Sequence, residues 1–200
     1  MTWVKVCGVS RPADIEAARN AGADAVGLVL AESPRRVDAE RAKDLAAAAG
    51  DLEVILLTVD ATASQLLDLA QHVGATGVQP YGDYSALAAA ACRQAGLVVL
   101  RPTTVRDEVD LTDIPLDQIP LLDAHDPEKF GGTGRAVDRS LLQGVDRDFV
   151  LAGGLRPDNI ADAIAEVRPW GVDASSGLES APGIKDPELI HAYVQEAKRT

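Results

Sequence analysis

Two residues of this chain have side chains and settings suited to moving a proton. Asp123 closes the apolar run "QIPLLD", where a chain leaves a buried strand and an unpartnered charge is costly. Cys7 closes "WVKVC" and is followed at once by Gly8. A buried cysteine is ordinarily a small apolar core residue, and an aspartate after a strand ordinarily caps the next turn. A thiol and a carboxyl at matching ends of two strands form something else, an acid–base pair able to face one cavity. Cys92, inside an alanine-rich stretch, keeps the core reading.

A second set of positions is notable for having little or no side chain. Gly131, Gly132, Thr133 and Gly134 follow Asp123; Gly153 and Gly154 follow "DFVLA"; Ser175, Ser176 and Gly177 follow "GVDA". Backbone N–H groups and hydroxyls bind a phosphate dianion without a lysine, so three such clusters after successive strands point to a phosphate site. Arg36, in "SPRRV", is a candidate partner for a substrate carboxylate. Gln79, Tyr81 and Asp173 stand at other strand ends and are candidate substrate contacts. His72 and His191 fall on outward helices, and His125 and Asp126 in a loop. No His, Cys or carboxylate grouping has metal-ligand spacing, so no metal is expected. No lysine ends a strand, and Lys185 comes late, in the last loop. The expected chemistry is cofactor-free proton transfer on a small phosphorylated substrate.

These residues need a frame, and the chain supplies an alternation. "WVKVC" is followed by the helical "SRPADIEAARNAGAD", with Ser10 as its candidate cap. "AVGLVL" is apolar without alternation, as in a strand buried on both faces. Asp38 can cap the next helix, and Thr62 with Gln65 forms a capping-box pattern before the third. The alternation continues through "TGVQ", "SALAAAACRQAG" and "LVVLR", then breaks in residues 102–117, rich in Asp, Pro and Thr, where a fifth helix is irregular or missing. "QIPLLD", "DFVLAG" and "WGVDAS" are the last strands; Pro157 is placed in the first turn of the helix between the latter two. The closing helix starts at Pro187 with an apolar face of Ile190, Tyr193, Val194 and Ala197.

Eight buried strands alternating with helices predict a compact (β/α)8 TIM barrel as one domain over residues 1–200, with its active site at the C-terminal strand ends. A doubly wound sheet would carry a glycine-rich dinucleotide turn after its first strand, and "CGVSRP" is not one. The net charge of −12 argues against nucleic acid or an anionic membrane as partner. Two cysteines, an N-terminal apolar stretch too short for a signal peptide and no membrane-length segment fit a cytoplasmic setting. The expected assembly is a monomer or homodimer.

The stretches "VKVCGVSRPADIEAARNAGADAVGLVL", "SPRRV", "LLDAHDPEKFGGTGRAVD", "LAGGLRPDNIADAI" and "GVDASSGLESAPGIKD" together resemble phosphoribosylanthranilate isomerase, which performs an Amadori rearrangement in tryptophan biosynthesis. The resemblance implies Cys7 as general base and Asp123 as general acid. It implies Arg36 as a substrate-binding arginine, Asp173 as the aspartate before the serine pair, and Gly131, Gly132, Thr133, Gly134, Gly153, Gly154, Ser175, Ser176 and Gly177 as phosphate ligands. Such an acid must hold its proton near neutrality, so a raised pKa is expected for Asp123 and a lowered one for Cys7.

The flank from strand three to strand five departs from the family pattern. Where the family has Q-L-H-G, this chain has "QPYG", and a proline cannot donate to a ladder, so strand four is expected to end a residue early. Asp60 stands in place of an asparagine, and "LRPTTV" after strand five is unlike the usual sequence. These changes are drift in an ordinary isomerase, or they adapt the site to a phosphoribosyl-amine with another aromatic end. A non-catalytic phosphate-binding barrel is the remaining class, and it would need neither Cys7 nor Asp123. A histidine-pathway isomerase would carry aspartates after strands one and five, where this chain has Cys7 and Arg101.

Overall fold

The computed structural model describes residues 1–105, 109–124 and 138–200. Eight strands, β1 (Trp3–Cys7), β2 (Ala25–Val29), β3 (Glu53–Val59), β4 (Gly77–Tyr81), β5 (Val98–Val105), β6 (Ile119–Ala124), β7 (Val150–Leu151) and β8 (Gly171–Ala174), pair in chain order into a closed parallel barrel. The ring closes where β1 meets β8, from Trp3 opposite Gly171 to Val6 opposite Ala174. The (β/α)8 expectation holds.

Helices α1 (Pro12–Ala21), α2 (Ala39–Ala48), α3 (Ala63–Val73), α4 (Ser85–Gln94), α5 (Ile160–Val167) and α6 (Pro187–Arg199) cover the outside. Asp38 caps α2 by accepting from the Arg41 amide, and Thr62 and Gln65 form their reciprocal box on α3. Ser10 does not cap α1. Arg11 is the capping residue, and the buried Asp14 carboxylate accepts from the Ser10 and Arg11 amides and from the Arg11 guanidinium. A carboxylate on free amides at a helix start satisfies more donors than a serine hydroxyl. Pro157 precedes α5 rather than opening it; the residue before the helix is Asn159.

Between β5 and β6 the described residues form turns and no helix, and a 3-10 turn, Arg139–Leu142, capped by Asp138, precedes β7. A short hairpin outside the expected alternation, β9 (Glu179–Ala181) with β10 (Ile184–Lys185), follows β8. The apolar face of α6 is buried as expected, at Ile190, Tyr193, Val194 and Ala197.

Pro80 does not shorten β4. It pairs in register with Thr58 of β3, and Tyr81 pairs with Val59. The Tyr81 carbonyl accepts from the Asp60 amide, so the backbone groups of Tyr81 face β3 and those of Pro80 face the other way. On that side the pairing with β5 covers only Gly77 and Val78, so no ladder donor is needed at residue 80.

Inside the barrel, alternate residues of each strand point to the axis. Ala25, Ile55, Leu100, Leu121, Val150 and Ala152 form an apolar plug. Above it, Cys7, Val29 and Leu57 cluster with Ala31 and Tyr81 beneath the mouth.

Candidate active site

A cavity of about 920 Å³ opens at the C-terminal ends of the strands, where barrels of this kind place their chemistry. Cys7 reaches it from β1 and Asp123 from β6, so thiol and carboxyl face one space from well-separated strands. Gly27, opposite Cys7 in the β1–β2 register, has no side chain where one would be needed least. A β-carbon there would lie 2.7 Å from the Cys7 sulfur and 3.1 Å from Cε of Lys5.

Lys5 is the residue that reading strand ends misses. It lies two positions before Cys7 on the same inward face of β1 and is wholly buried. Its ammonium donates to Oδ2 of Asp173 and to Oε1 of Gln79, each at 2.9 Å. Burial works to lower its pKa, but Asp173 and the Cys7 sulfur outweigh that and raise it, so Lys5 is held charged. The period-two rule applied from Cys7 would have found it.

The Cys7 pKa moves opposite to expectation. Burial pushes the thiol up, and Lys5 and Lys185 only partly offset it, while Asp173 adds to the rise. The two ammonium groups are thus what makes a thiolate attainable in a dry setting.

Gln79 is almost completely buried, and both ends of its amide are used, Oε1 by Lys5 and Nε2 by the Tyr81 hydroxyl at 2.9 Å. It lines the cavity and ties Lys5 to Tyr81. Tyr81 lines the cavity, and its pKa is pushed well above the ordinary phenol value by burial and then by the charge of Asp123. Asp173 gives one oxygen to Lys5; Oδ1 is buried in the cavity wall without a partner among the described residues.

Arg36 does not face the cavity. Its exposed guanidinium pairs with Glu32 at 3.1 Å, while Arg35 lines the space. Glu179 grips Arg35 through Nε and Nη2, which leaves Nη1 as the edge with no described partner. The Arg35 stem crosses Gly8, where a β-carbon would stand 2.6 Å from Cδ. Lys185 also belongs to the site: it is buried, donates to the Ser175 carbonyl at 2.9 Å and to Glu179 at 2.7 Å, and acts electrostatically on Cys7. Burial lowers the Lys185 pKa. For Glu179, burial alone would raise the carboxyl, but hydrogen bonds from Arg35 and Lys185 bring it below its ordinary range.

Gly153, Gly154, Ser175, Ser176 and Gly177 all line the cavity. Gly153 and Gly154 have φ of 86° and 64°, and a β-carbon on Gly177 would sit 2.1 Å from the Leu155 carbonyl oxygen, so the glycines here are geometric requirements. Gly131, Gly132, Thr133 and Gly134, like His125 and Asp126, lie outside the described residues. Asp60 is a loop bracket: at φ 54° it accepts from the Asp83 amide at 2.9 Å and donates its own amide to Tyr81. His72 is on the outside, paired with Glu40, and His191 is exposed. Among the described residues no His, Cys, Asp and Glu grouping could hold a metal ion, and no helix is long and apolar enough to cross a membrane.

The family model described as N-(5'-phosphoribosyl)anthranilate (PRA) isomerase matches residues 4–196. An N-(5'-phosphoribosyl)anthranilate isomerase of Rhodopseudomonas palustris (strain BisA53) is 43% identical over 210 residues, covering 98% of this chain and 96% of that one. The crystal structure of phosphoribosyl anthranilate isomerase from Thermus thermophilus superposes with a TM-score of 0.89 at 29% identity over 99% of both chains. A phosphoribosyl anthranilate isomerase crystallised with reduced 1-(o-carboxyphenylamino)-1-deoxyribulose 5-phosphate superposes over all of both chains, with a TM-score of 0.82 at 29% identity.

Proposed function

The chain belongs to the N-(5'-phosphoribosyl)anthranilate isomerase family, and from that premise we infer that Cys7 is its general base and Asp123 its general acid. The reaction is the Amadori rearrangement of N-(5'-phosphoribosyl)anthranilate to 1-(2-carboxyphenylamino)-1-deoxyribulose 5-phosphate, an aldose–ketose isomerisation of tryptophan biosynthesis that this family carries out without a cofactor.

Asp123 gives its proton to the ribose ring oxygen, the C1′–O bond breaks, and the nitrogen lone pair closes an iminium. Cys7 takes the C2′ proton, and the C–H electrons neutralise the iminium as an enolamine. Tautomerisation then yields the ketose. The observation that carries this assignment is that the two groups line one cavity from β1 and β6. The phosphate is assigned to Gly153, Gly154, Ser175, Ser176 and Gly177, where amides and hydroxyls can surround a dianion. Gly131, Gly132, Thr133 and Gly134, which follow Asp123 in the sequence, complete the proposed set. Oδ1 of Asp173 can accept from a sugar hydroxyl or the anilino N–H. Arg35, rather than Arg36, can present Nη1 to the anthranilate carboxylate.

The test is turnover of phosphoribosylanthranilate generated in situ, followed by loss of its fluorescence, in wild type, Cys7→Ser and Asp123→Asn. Loss of about 10²-fold or more in both variants, with folding intact, is expected for an acid–base pair. Near-wild-type turnover in either one would remove that residue from its role.

A further inference from the structure

The polar side chains under the cavity form a chain with only one possible direction. The Lys5 ammonium can donate and cannot accept. It donates to Asp173 on one side and to Gln79 on the other, so the Gln79 atom facing it must be the carbonyl oxygen. The amide nitrogen of Gln79 then faces Tyr81 at 2.9 Å, and it too can only donate. The Tyr81 oxygen is therefore an acceptor in that bond, and its own single proton has to point somewhere else.

The surroundings narrow where. The ring is packed with Cys7, Val29 and Leu57. Its backbone is tied through the Asp60 amide, and Asp60 is itself fixed by the Asp83 amide. Among the described residues, the titratable and charged groups lining the cavity are Cys7 from β1, Glu32 and Arg35 after β2, Tyr81 from β4, Asp123 from β6 and Asp173 from β8, with Lys5 beneath them. Among those acting on Tyr81, Asp123 has the largest electrostatic influence, ahead of Cys7 and Asp173. Asp173 takes the Lys5 hydrogen bond on Oδ2, and its electrostatic influence on Tyr81 is the smallest of the three.

We propose that Tyr81 is a positioning residue for the acid, its hydroxyl proton directed at the Asp123 carboxyl by the fixed polarity of the chain Lys5–Gln79–Tyr81. This rests on the reading of Asp123 as the acid. A donor aimed at a carboxyl favours its ionised form. Tyr81 thereby stabilises the carboxylate that remains once the ribose ring has opened, and it sets the pH above which the resting acid is lost. The tyrosine that departs from the family's Q-L-H-G pattern thus becomes part of the acid half of the site.

The test separates this from the catalytic assignment. Protein labelled with 13C at aspartate carboxyl carbons is titrated by NMR, with Asp123→Asn identifying the Asp123 resonance. Tyr81→Phe keeps the ring and removes only the hydroxyl. Losing a donor to the charged form should raise the Asp123 midpoint by about one pH unit, and the limb of kcat/KM that needs the protonated acid should move up with it, in protein that a thermal melt shows to be folded. An Asp123 midpoint that stays where it was overturns the proposal, and so does a rise in KM with no change in that midpoint, which would mean the proton goes to the substrate. A wild type that fails to turn over phosphoribosylanthranilate would sink the reaction assignment instead, while the NMR titration would still decide the direction of the Tyr81 proton.

Discussion

Glu179 holds Arg35 with both carboxylate oxygens, at 2.6 and 2.8 Å, from a hairpin about 140 positions further along the chain. The same carboxylate accepts from Lys185. Glu179→Gln leaves two cations facing each other and should cost about 3 kcal/mol at pH 7, as when one partner of a buried pair is removed. The Glu179 pKa is depressed in the folded state, so its stabilisation is present above the unfolded value and is lost as pH falls through the folded one. Urea denaturation at pH 7 and at about pH 4 should therefore show the gap between wild type and variant narrowing with acid.

Adjacent arginines should behave differently. Arg35→Ala removes a guanidinium from the cavity wall and should raise KM about 10-fold or more, the size of a charge-assisted hydrogen bond. Arg36→Ala breaks only an exposed pair with Glu32, worth about 0.5 kcal/mol or less, and steady-state kinetics should leave it within about twofold of wild type. Equal effects at the two positions would return the substrate contact to Arg36.

Gly27→Ala places a β-carbon 2.7 Å from the Cys7 sulfur. The thiol must move, so kcat should fall about 10- to 100-fold, as for misplacement of a reacting group by about 1 Å, while overpacking costs about 1–3 kcal/mol. Kinetics paired with a thermal melt check both. A variant with full kcat would show that the sulfur position is not critical.

Lys5→Met removes the larger of the two ammonium influences that oppose the rise of the Cys7 pKa. The pH midpoint for alkylation of Cys7 by iodoacetamide should move further up, and the rate at neutral pH should fall about 10-fold each time the midpoint climbs by one on the pH scale. Breaking the pair with Asp173 should also cost about 3–5 kcal/mol. Wherever the variant remains folded, an unchanged alkylation profile would show that Lys5 does not act on the thiol.

The barrel was legible because each strand is a short apolar run set off by cap and turn residues, as "WVKVC" is followed by a helix that ends at Gly22. The proposed acid and base stood out because each ends such a run. Lys5 did not, because a lysine inside a strand reads as a solvent-facing residue until alternation is counted from Cys7. Arg35 and Arg36 are chemically identical in sequence, and only the bend of the chain after β2 turns one inward and leaves the other exposed. Glu179 and Lys185 sit six residues apart, and the hairpin that brings them together has strands too short and too polar to stand out as apolar runs. Pro80 misled because the rule against proline in a strand depends on which neighbour its nitrogen faces, which a sequence does not state.

Arg35, Glu179 and Lys185 sum to one positive charge beside Ser175, in a chain whose formal charge is −12. A phosphorylated, carboxylated substrate is therefore repelled at a distance and attracted on arrival. Salt screens exposed, long-range repulsion first, over a Debye length of about 8 Å near physiological ionic strength. Capture should accelerate as salt is added to a dilute buffer, then slow once screening reaches the rim itself, so that kcat/KM passes through a maximum in ionic strength.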